Sequence, residues 1–180
     1  MSGWGKAGIG VAVAVLLAAG VVSLLGGVIT VRGSSMRPAL RNGQKILVER
    51  VLYRLQLEPL QRGDIIVFPY PADPKVLLVK RIIGLPGDMV AIRDGLVYLN
   101  GEPLYEPYVA GRMLGDYGPC QVPAGKVFVL GDNRNDSIDS RDPDVGCVSV
   151  RKVVGRAVLR IWPVRWFPVI RRPPALGSGP

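Results

Sequence analysis

The sequence predicts a mainly β protein, with a single N-terminal transmembrane helix followed by an antiparallel β-rich domain. Three observations lead to this fold class. Residues 7–31 carry no charged side chain, 16 prolines and 23 glycines supply many turns, and the short apolar runs between these turns have the length of strands. Without the span and a C-terminal tail, about 140 residues remain, which is enough for one domain with its own core.

The N-terminal segment is interpreted as a short flank, residues 1–6, and a transmembrane anchor, residues 7–31. As a helix, the 25 uncharged residues would be about 37 Å long, enough to cross a bilayer with some tilt. A cleaved signal peptide is the alternative, but its apolar core is typically only about 7–15 residues long. More basic residues follow the run than precede it, so the positive-inside rule alone would keep the domain in the cytoplasm.

Strands are predicted where apolar residues run between turn signals. The predicted strands are residues 44–50, 65–68, 76–83, 89–92, 96–99, 126–130 and 153–161. Asp94-Gly95 and Asn100-Gly101 are typical of tight turns that need positive φ. One short helical turn is predicted within residues 51–60, and residues 173–180 are predicted to be a disordered tail.

The net charge of +9 is concentrated near the C-terminus. Seven of the 23 basic residues fall between Arg151 and Arg172, interleaved with Trp162, Trp166 and Phe167. Such a stripe can bind nucleic acid or an anionic membrane surface, or it can be a solvated face beside a final strand. The adjacent span favours the membrane over nucleic acid, so no nucleic-acid partner is expected.

Two cysteines, Cys120 and Cys147, are the only ones in the chain, and there is no histidine. Two thiols without histidine do not make a zinc site, so no metal or cofactor is expected. The thiols could pair as a disulfide if the domain lies outside the cytoplasm, or both could stay unpaired. The sequence leaves both alternatives open.

A serine nucleophile in a chain without histidine needs a base other than imidazole. Ser35 follows the span within Gly33-Ser34-Ser35-Met36, where Gly33 would let a substrate approach the backbone closely. Considered alone, these residues are equally typical of an ordinary serine-rich linker.

Lysine is the usual substitute for histidine as a base, and Lys80 lies in the strand-like run of residues 76–83. It must be neutral to accept a proton, and burial lowers a lysine pKa by penalising the ammonium. Val79, Ile82 and Ile83 could supply that apolar setting. The alternative is a lysine on the solvated face of an edge strand.

A polar stretch, residues 131–141, is too polar to be core. In this stretch, Asp139 and Arg141 can form an ion pair that braces a loop, and Ser137 can place a hydroxyl beside a buried lysine. A long polar turn is the alternative. A calcium loop fits less well, because the ligand spacing and terminal glutamate of an EF-hand are missing.

Four segments in this order resemble the bacterial type I signal peptidases, membrane-anchored serine–lysine proteases that remove signal peptides. The segments are residues 33–40, 62–68, 80–88 and 131–141. The resemblance extends from the anchor to about Ile161. It implies a β-rich catalytic domain, residues 32–172, on the extracytoplasmic side of the bacterial cytoplasmic membrane, held there by a single span.

The resemblance also implies roles for individual residues. Ser35 would attack the scissile carbonyl, and Lys80 would take its proton. Ser137 would hydrogen-bond the lysine, Asp139 and Arg141 would form a bracing ion pair, and Arg81 would be structural. The oxyanion and substrate-binding region would comprise Gly33, Ser34 and Met36, with the Ser35 N–H as one oxyanion donor. Gly33 stands where some members carry a serine as second donor, and Ala39 where threonine is usual.

Implied partners are the signal peptides of preproteins, with small residues at minus one and minus three, and the lipid bilayer; the protein-export machinery is a further candidate. Two alternatives to a signal peptidase are a self-cleaving repressor-like serine–lysine protease and an inactive membrane-tethered β module. Ala110-Gly111 and Ala124-Gly125 are the Ala-Gly sites in the soluble part that self-cleavage would use.

Overall fold

The fold is seen in a computed structural model that describes residues 26–50, 58–109, 111–163 and 169–173, with isolated helical residues at 9, 10, 13 and 20. The described residues form eleven strands and one 3-10 helix. They are β1 Gly26–Thr30, β2 Lys45–Glu49, β3 Ile65–Pro69, β4 Leu77–Gly84, β5 Met89–Arg93, β6 Leu96–Leu99, β7 Glu102–Pro103, β8 Tyr117–Gln121, β9 Lys126–Leu130, β10 Val148–Ser149, the helix Val150–Lys152, and β11 Gly155–Trp162.

The strands make two antiparallel sheets, as the fold class predicted. Seven strands lie in the order β1-β2-β11-β3-β4-β9-β10, and four lie in the order β7-β6-β5-β8. The predicted hairpin between β5 and β6 is confirmed: Asp94 and Gly95 have φ of 50° and 75°. Asn100 and Gly101 also have positive φ, 54° and 93°, and turn the chain from β6 into β7.

The predicted anchor was too long at its C-terminal end, because residues 26–30 form strand β1. Gly26 allows this strand to lie close against β2: a Cβ there would be 2.3 Å from the Val48 carbonyl oxygen. Most of residues 7–25, like residues 1–6, 51–57 and 174–180, falls outside the described residues. No helix of membrane-spanning length and hydrophobicity occurs in the part of the chain that the structure describes.

The predicted strands agree with β2, β3, β4, β5, β6, β9 and β11 to within two residues at each end. Strands β7, β8 and β10 were missed. The predicted helical turn in residues 51–60 lies mostly outside the described residues, and Glu58–Leu60 is not helical. The segment between β6 and β9 supplies two strands of the four-stranded sheet, β7 and β8.

The side chains of β3 alternate between two cores, one on each face of the large sheet. Ile65 and Val67 pack in one cluster, whereas Ile66 and Phe68 pack in another. This follows from the two-residue period of a strand, and it explains why β3 is apolar along its length. A third cluster, centred on Phe128, joins the large sheet to the four-stranded sheet.

The basic run of residues 151–172 is not a continuous exposed stripe. Arg156 is buried and pairs with Glu58 at 2.5 Å, Arg172 pairs with Asp64 at 2.5 Å, and Arg160 donates to a backbone carbonyl. Only part of the run, including Arg151, faces solvent. Arg156 is thus turned inward and Arg160 is half-buried, whereas Arg172 stays exposed beside its partner.

Candidate active site

Ser35 and Lys80 come from two different elements of the fold and lie side by side. Lys80 lies in the middle of β4, and Ser35 lies in the loop that follows β1. Lys80 Nζ is 2.7 Å from Ser35 Oγ, so the two groups are directly hydrogen-bonded. When the lysine is neutral, the same contact allows the serine hydroxyl to donate its proton to Nζ.

Burial makes Lys80 a credible base. Its side chain is 2% exposed, and its cross-strand partner is Ile66. Residues opposite each other or two apart on a strand share a face, so Ile66 and Ile82 line the lysine. Val79 and Ile83, expected to help, point to the other face and pack in other clusters. Burial, opposed by nearby aspartates, lowers the pKa of Lys80 from 10.5 to about 8.

The next residue, Arg81, is held in a buried ion pair. Its guanidinium donates to both oxygens of Asp132, at 2.8 and 2.6 Å, and to the Gly63 carbonyl. The Arg81 guanidinium carbon also lies 4.2 Å from the centre of the Tyr108 ring. These contacts compensate the buried charge of the Arg81 guanidinium. They also hold β4 in the position that places Lys80 beside Ser35.

The polar loop, residues 131–141, folds back on itself through Asp139. Its carboxylate accepts from the Arg141 guanidinium at 2.8 Å and from the Gly131 N–H at 3.0 Å. Arg141 donates in turn to the Arg134 carbonyl at 2.5 Å. The pair that was expected to brace the loop thus forms, and it joins both ends of the loop.

Ser137 does not make the hydrogen bond to Lys80 that was expected. Its hydroxyl is buried and has no hydrogen-bond partner among the described residues. It lies close to the backbone of Gly131, where an added Cβ would be 2.2 Å from Ser137 Oγ and 2.6 Å from the Ser35 carbonyl oxygen. The hydroxyl is therefore near Ser35 without a hydrogen bond to Lys80.

Met36 also differs from its expected place. Its side chain is 2% exposed and packs in the core with Val31 and Leu40. It supports the loop of Ser35 from the core side. Gly33 has φ of 85°, a conformation that glycine adopts readily, and its N–H donates to the side chain of Asn42.

These features match a known family along most of the chain. The family model described as signal peptidase, peptidase S26, matches residues 4–162. A probable signal peptidase I-2 of Synechocystis sp. is 41% identical over 167 residues, covering 89% of this chain and 74% of that relative. A signal peptidase I of Bacillus caldolyticus is 40% identical over 151 residues, covering 76% of this chain and 80% of that relative.

The chain belongs to the signal peptidase family, peptidase S26. A third relative, signal peptidase I T of Bacillus subtilis, is 36% identical over 170 residues and is covered to 84% of its length. Membership makes the chain a serine endopeptidase of the signal peptidase I type.

Several residues of this peptidase site were missed in the sequence. Arg134 of the polar loop makes a buried, two-pronged ion pair with Glu106, at 2.6 and 2.7 Å, and the Tyr108 hydroxyl donates to the same carboxylate at 2.6 Å. Burial and the Glu106 charge raise the pKa of Tyr108, so its hydroxyl stays protonated. The sequence feature that could have indicated these residues is Glu106-Pro107-Tyr108, in which an acidic and an aromatic residue flank a proline between two strands.

The thiols of Cys120 and Cys147 are unpaired in the structure. Both are half-buried and pack against the Phe128 cluster. Among the described residues, no group of three His, Cys, Asp or Glu side chains is placed to hold a metal ion.

Proposed function

We propose that this chain removes N-terminal signal peptides from secreted preproteins, with Ser35 as the nucleophile and Lys80 as its base. The observation that supports the roles is the 2.7 Å contact between Ser35 Oγ and a lysine that burial keeps partly neutral near pH 8. A Lys80 with an ordinary pKa of 10.5 would be almost wholly protonated at neutral pH and could not accept a proton.

The reaction proceeds in two steps through an acyl-enzyme. Ser35 Oγ forms a bond to the scissile carbonyl carbon while its proton passes to Lys80 Nζ, and the ammonium then gives that proton to the leaving amine. Lys80, neutral again, takes a proton from a water molecule, whose oxygen attacks the ester carbonyl carbon. As the ester C–O bond breaks, the ammonium returns this proton to Ser35 Oγ. The sequence of transfers returns both side chains to their starting states.

The developing oxyanion would be held by the Ser35 N–H, which has no acceptor among the described residues. Gly33 carries no hydroxyl for a second hydrogen bond. A second donor would therefore have to be a backbone N–H or a water molecule.

The edge of β4 offers a place for an extended substrate. Strand β4 pairs with β3 along residues 77–81 but with β9 only from Arg81 onward. Within the described residues, residues 77–80 thus have no strand on that side, and Lys80 stands at the end of this open edge. A signal peptide added here would make main-chain hydrogen bonds. Its alternate side chains, at minus one and minus three, would point the same way into shallow pockets that accept small residues.

The proposed location is the bacterial cytoplasmic membrane, with the catalytic domain on the extracytoplasmic side. Because β1 begins at Gly26, the single anchor is proposed to end before it. Residues 7–25 would form a helix of about 28 Å, close to the roughly 30 Å of a bilayer's hydrocarbon core.

The test is cleavage of a purified preprotein in detergent by the wild type, Ser35→Ala and Lys80→Ala, with the cut site mapped by mass spectrometry. Ser149→Ala and Lys126→Ala are matched controls, since the Ser149 side chain makes no capping hydrogen bond and Lys126 is exposed at the start of β9. Cleavage after a small residue by the wild type and both controls, but not by the two site variants, supports the proposal. Equal cleavage by all five refutes it, and self-cleavage at Ala110-Gly111 would favour the repressor-like alternative.

A further inference from the structure

The loop that carries the nucleophile is held from outside by one turn of the polar loop. The Asp136 N–H donates to the Asn133 carbonyl at 3.1 Å, which closes a turn over residues 133–136. The Asn133 N–H donates to the Ser35 carbonyl at 3.0 Å, and its side-chain amide lies 3.4 Å from the Ser34 carbonyl. Two successive carbonyls of the nucleophile's loop therefore contact this turn.

Asp136 makes the side-chain contact between the same two segments. Its carboxylate accepts a hydrogen bond from the hydroxyl of Ser34, and the Asn133 amide lies 3.5 Å from the same oxygen. Ser34 stands between the nucleophile and Gly33, whose φ of 85° belongs to a residue with wide backbone freedom. This contact is the side-chain restraint on the residue that separates Ser35 from a glycine.

We propose that Asp136 is a positioning residue of the dyad, which fixes Ser35 relative to Lys80 by binding the hydroxyl of Ser34. The inference rests on the proposed roles of Ser35 and Lys80. It assigns Asp136 and Ser34 no contact with the scissile bond. Their effect is on the fraction of time that Ser35 Oγ spends within transfer distance of the base, which enters the rate directly.

The charge of Asp136 gives the proposal a second, independent readout. The groups that surround Lys80 are Ser35 from the nucleophile's loop, Arg81 and Ile82 from its own strand, Ile66 from β3, and Asp132, Asp136 and Asp139 from the polar loop. Asp132 is neutralised by Arg81, and Asp139 by Arg141. Among the described residues, Asp136 has hydrogen bonds but no ion pair, so its charge is not offset by a guanidinium.

The sign of the effect follows from the base's protonation. The three aspartates raise the pKa of Lys80 against the lowering by burial. Removing the Asp136 charge therefore lowers the lysine pKa and makes the base neutral at lower pH. The acid limb of the rate profile moves to lower pH, and because Asp136 is exposed, this displacement shrinks as salt is added.

The experiment measures cleavage of a preprotein by the full-length enzyme in detergent from pH 6 to 10. The variants are Ser34→Ala, Asp136→Ala, Asp136→Asn and the double variant Ser34→Ala/Asp136→Ala. Asp144→Asn is the matched charge control, because Asp144 is exposed and is not among the charges that act on Lys80. Melting temperatures of all variants show whether each one is folded.

Three results are expected together. Ser34→Ala and Asp136→Ala each lower the plateau kcat by about threefold to tenfold, the range for one hydrogen bond. The double variant falls no further, because both single changes remove the same bond. The acid limb moves to lower pH in both Asp136 variants and stays at its wild-type position in Ser34→Ala and Asp144→Asn. Asp136→Asn keeps the wild-type plateau kcat, because its amide oxygen still accepts the hydrogen bond from Ser34.

A wild-type plateau kcat in both Ser34→Ala and Asp136→Ala would overturn the inference. So would a double variant whose loss of kcat equals the product of the two single losses. An acid limb at the same pH in Asp136→Asn and Asp144→Asn would overturn it as well. Ser35→Ala, run in parallel, separates this from the proposed function. Cleavage that survives in Ser35→Ala would refute the proposed roles and this inference with them. An inactive Ser35→Ala beside unaffected Asp136 and Ser34 variants would overturn this inference alone.

Discussion

Replacing Lys80 with methionine is expected to stabilise the fold while abolishing cleavage. Lys80 is 2% exposed, and its burial is the main reason that its pKa falls from 10.5 to about 8. Since one pKa unit corresponds to about 1.4 kcal/mol, the protonated lysine costs the folded state about 3 kcal/mol. Methionine has a similar length and no charge, so the variant avoids this cost.

The stability that Lys80→Met adds should decrease as the pH rises, because the pKa of Lys80 is lowered in the folded state. The folded-state pKa of about 8 lies below the ordinary value of 10.5, so between these values the unfolded chain binds more protons than the folded one. The free energy of unfolding of the wild type therefore rises over this interval. The advantage of the variant is about 3 kcal/mol at pH 7 and falls below about 1 kcal/mol at pH 10.

The assay is equilibrium urea unfolding of the full-length protein in detergent, followed by far-ultraviolet circular dichroism at pH 7 and pH 10. Lys126→Met is the matched control, because Lys126 is exposed at the start of β9, and its effect should stay within about 0.5 kcal/mol at both pH values. A Lys80→Met protein that is no more stable than the wild type at pH 7, or equally stabilised at both pH values, would refute the reasoning.

Further predictions concern the base, a buried ion pair and a glycine. Wild-type kcat/KM should rise about tenfold per pH unit up to the Lys80 pKa of about 8 and then level off; a midpoint near 10.5 would contradict the burial of the base. Glu106→Gln should cost about 3 kcal/mol in urea unfolding, because it leaves a buried guanidinium unpaired, whereas exposed Glu102→Gln should cost almost nothing. Gly131→Ala should lower kcat at least about tenfold, because the new Cβ would lie 2.2 Å from Ser137 Oγ; wild-type activity would show that the loop yields freely.

Much of the large sheet could be predicted from local patterns. Strands such as β3 and β4 are apolar runs that end in Gly, Pro or Asp, and their period of two decides the face on which each side chain lies. The strands that were missed have weaker local signals. Strand β8, Tyr117–Gln121, contains Gly118-Pro119, a typical turn pair, and its conformation is supported by pairing with β5, which no local pattern reveals.

The pairing of Ser35 with Lys80 was implied by a resemblance and not by spacing, since 44 residues lie between them. Partners separated this widely depend on how the sheet folds, which a single sequence does not specify. The same holds for Arg134 and Glu106, whose contact joins the polar loop to the segment after β7. The expected hydrogen bond from Ser137 to Lys80 is missing for a different reason: Ser137 lies in the polar loop as expected, but the direction of its hydroxyl depends on tertiary packing.

If the substrate binds along the open edge of β4, as proposed, the enzyme would be sensitive to the conformation of its target. Residues 77–80 offer hydrogen bonds to a partner strand, but a peptide in a helix or a folded domain has already used its N–H and C=O groups internally. Such a segment would have to unfold before it could reach Ser35. A sequence that satisfies the minus-one and minus-three requirements inside a mature, folded protein would therefore be spared, and cleavage would be confined to the period in which the emerging preprotein is still unstructured.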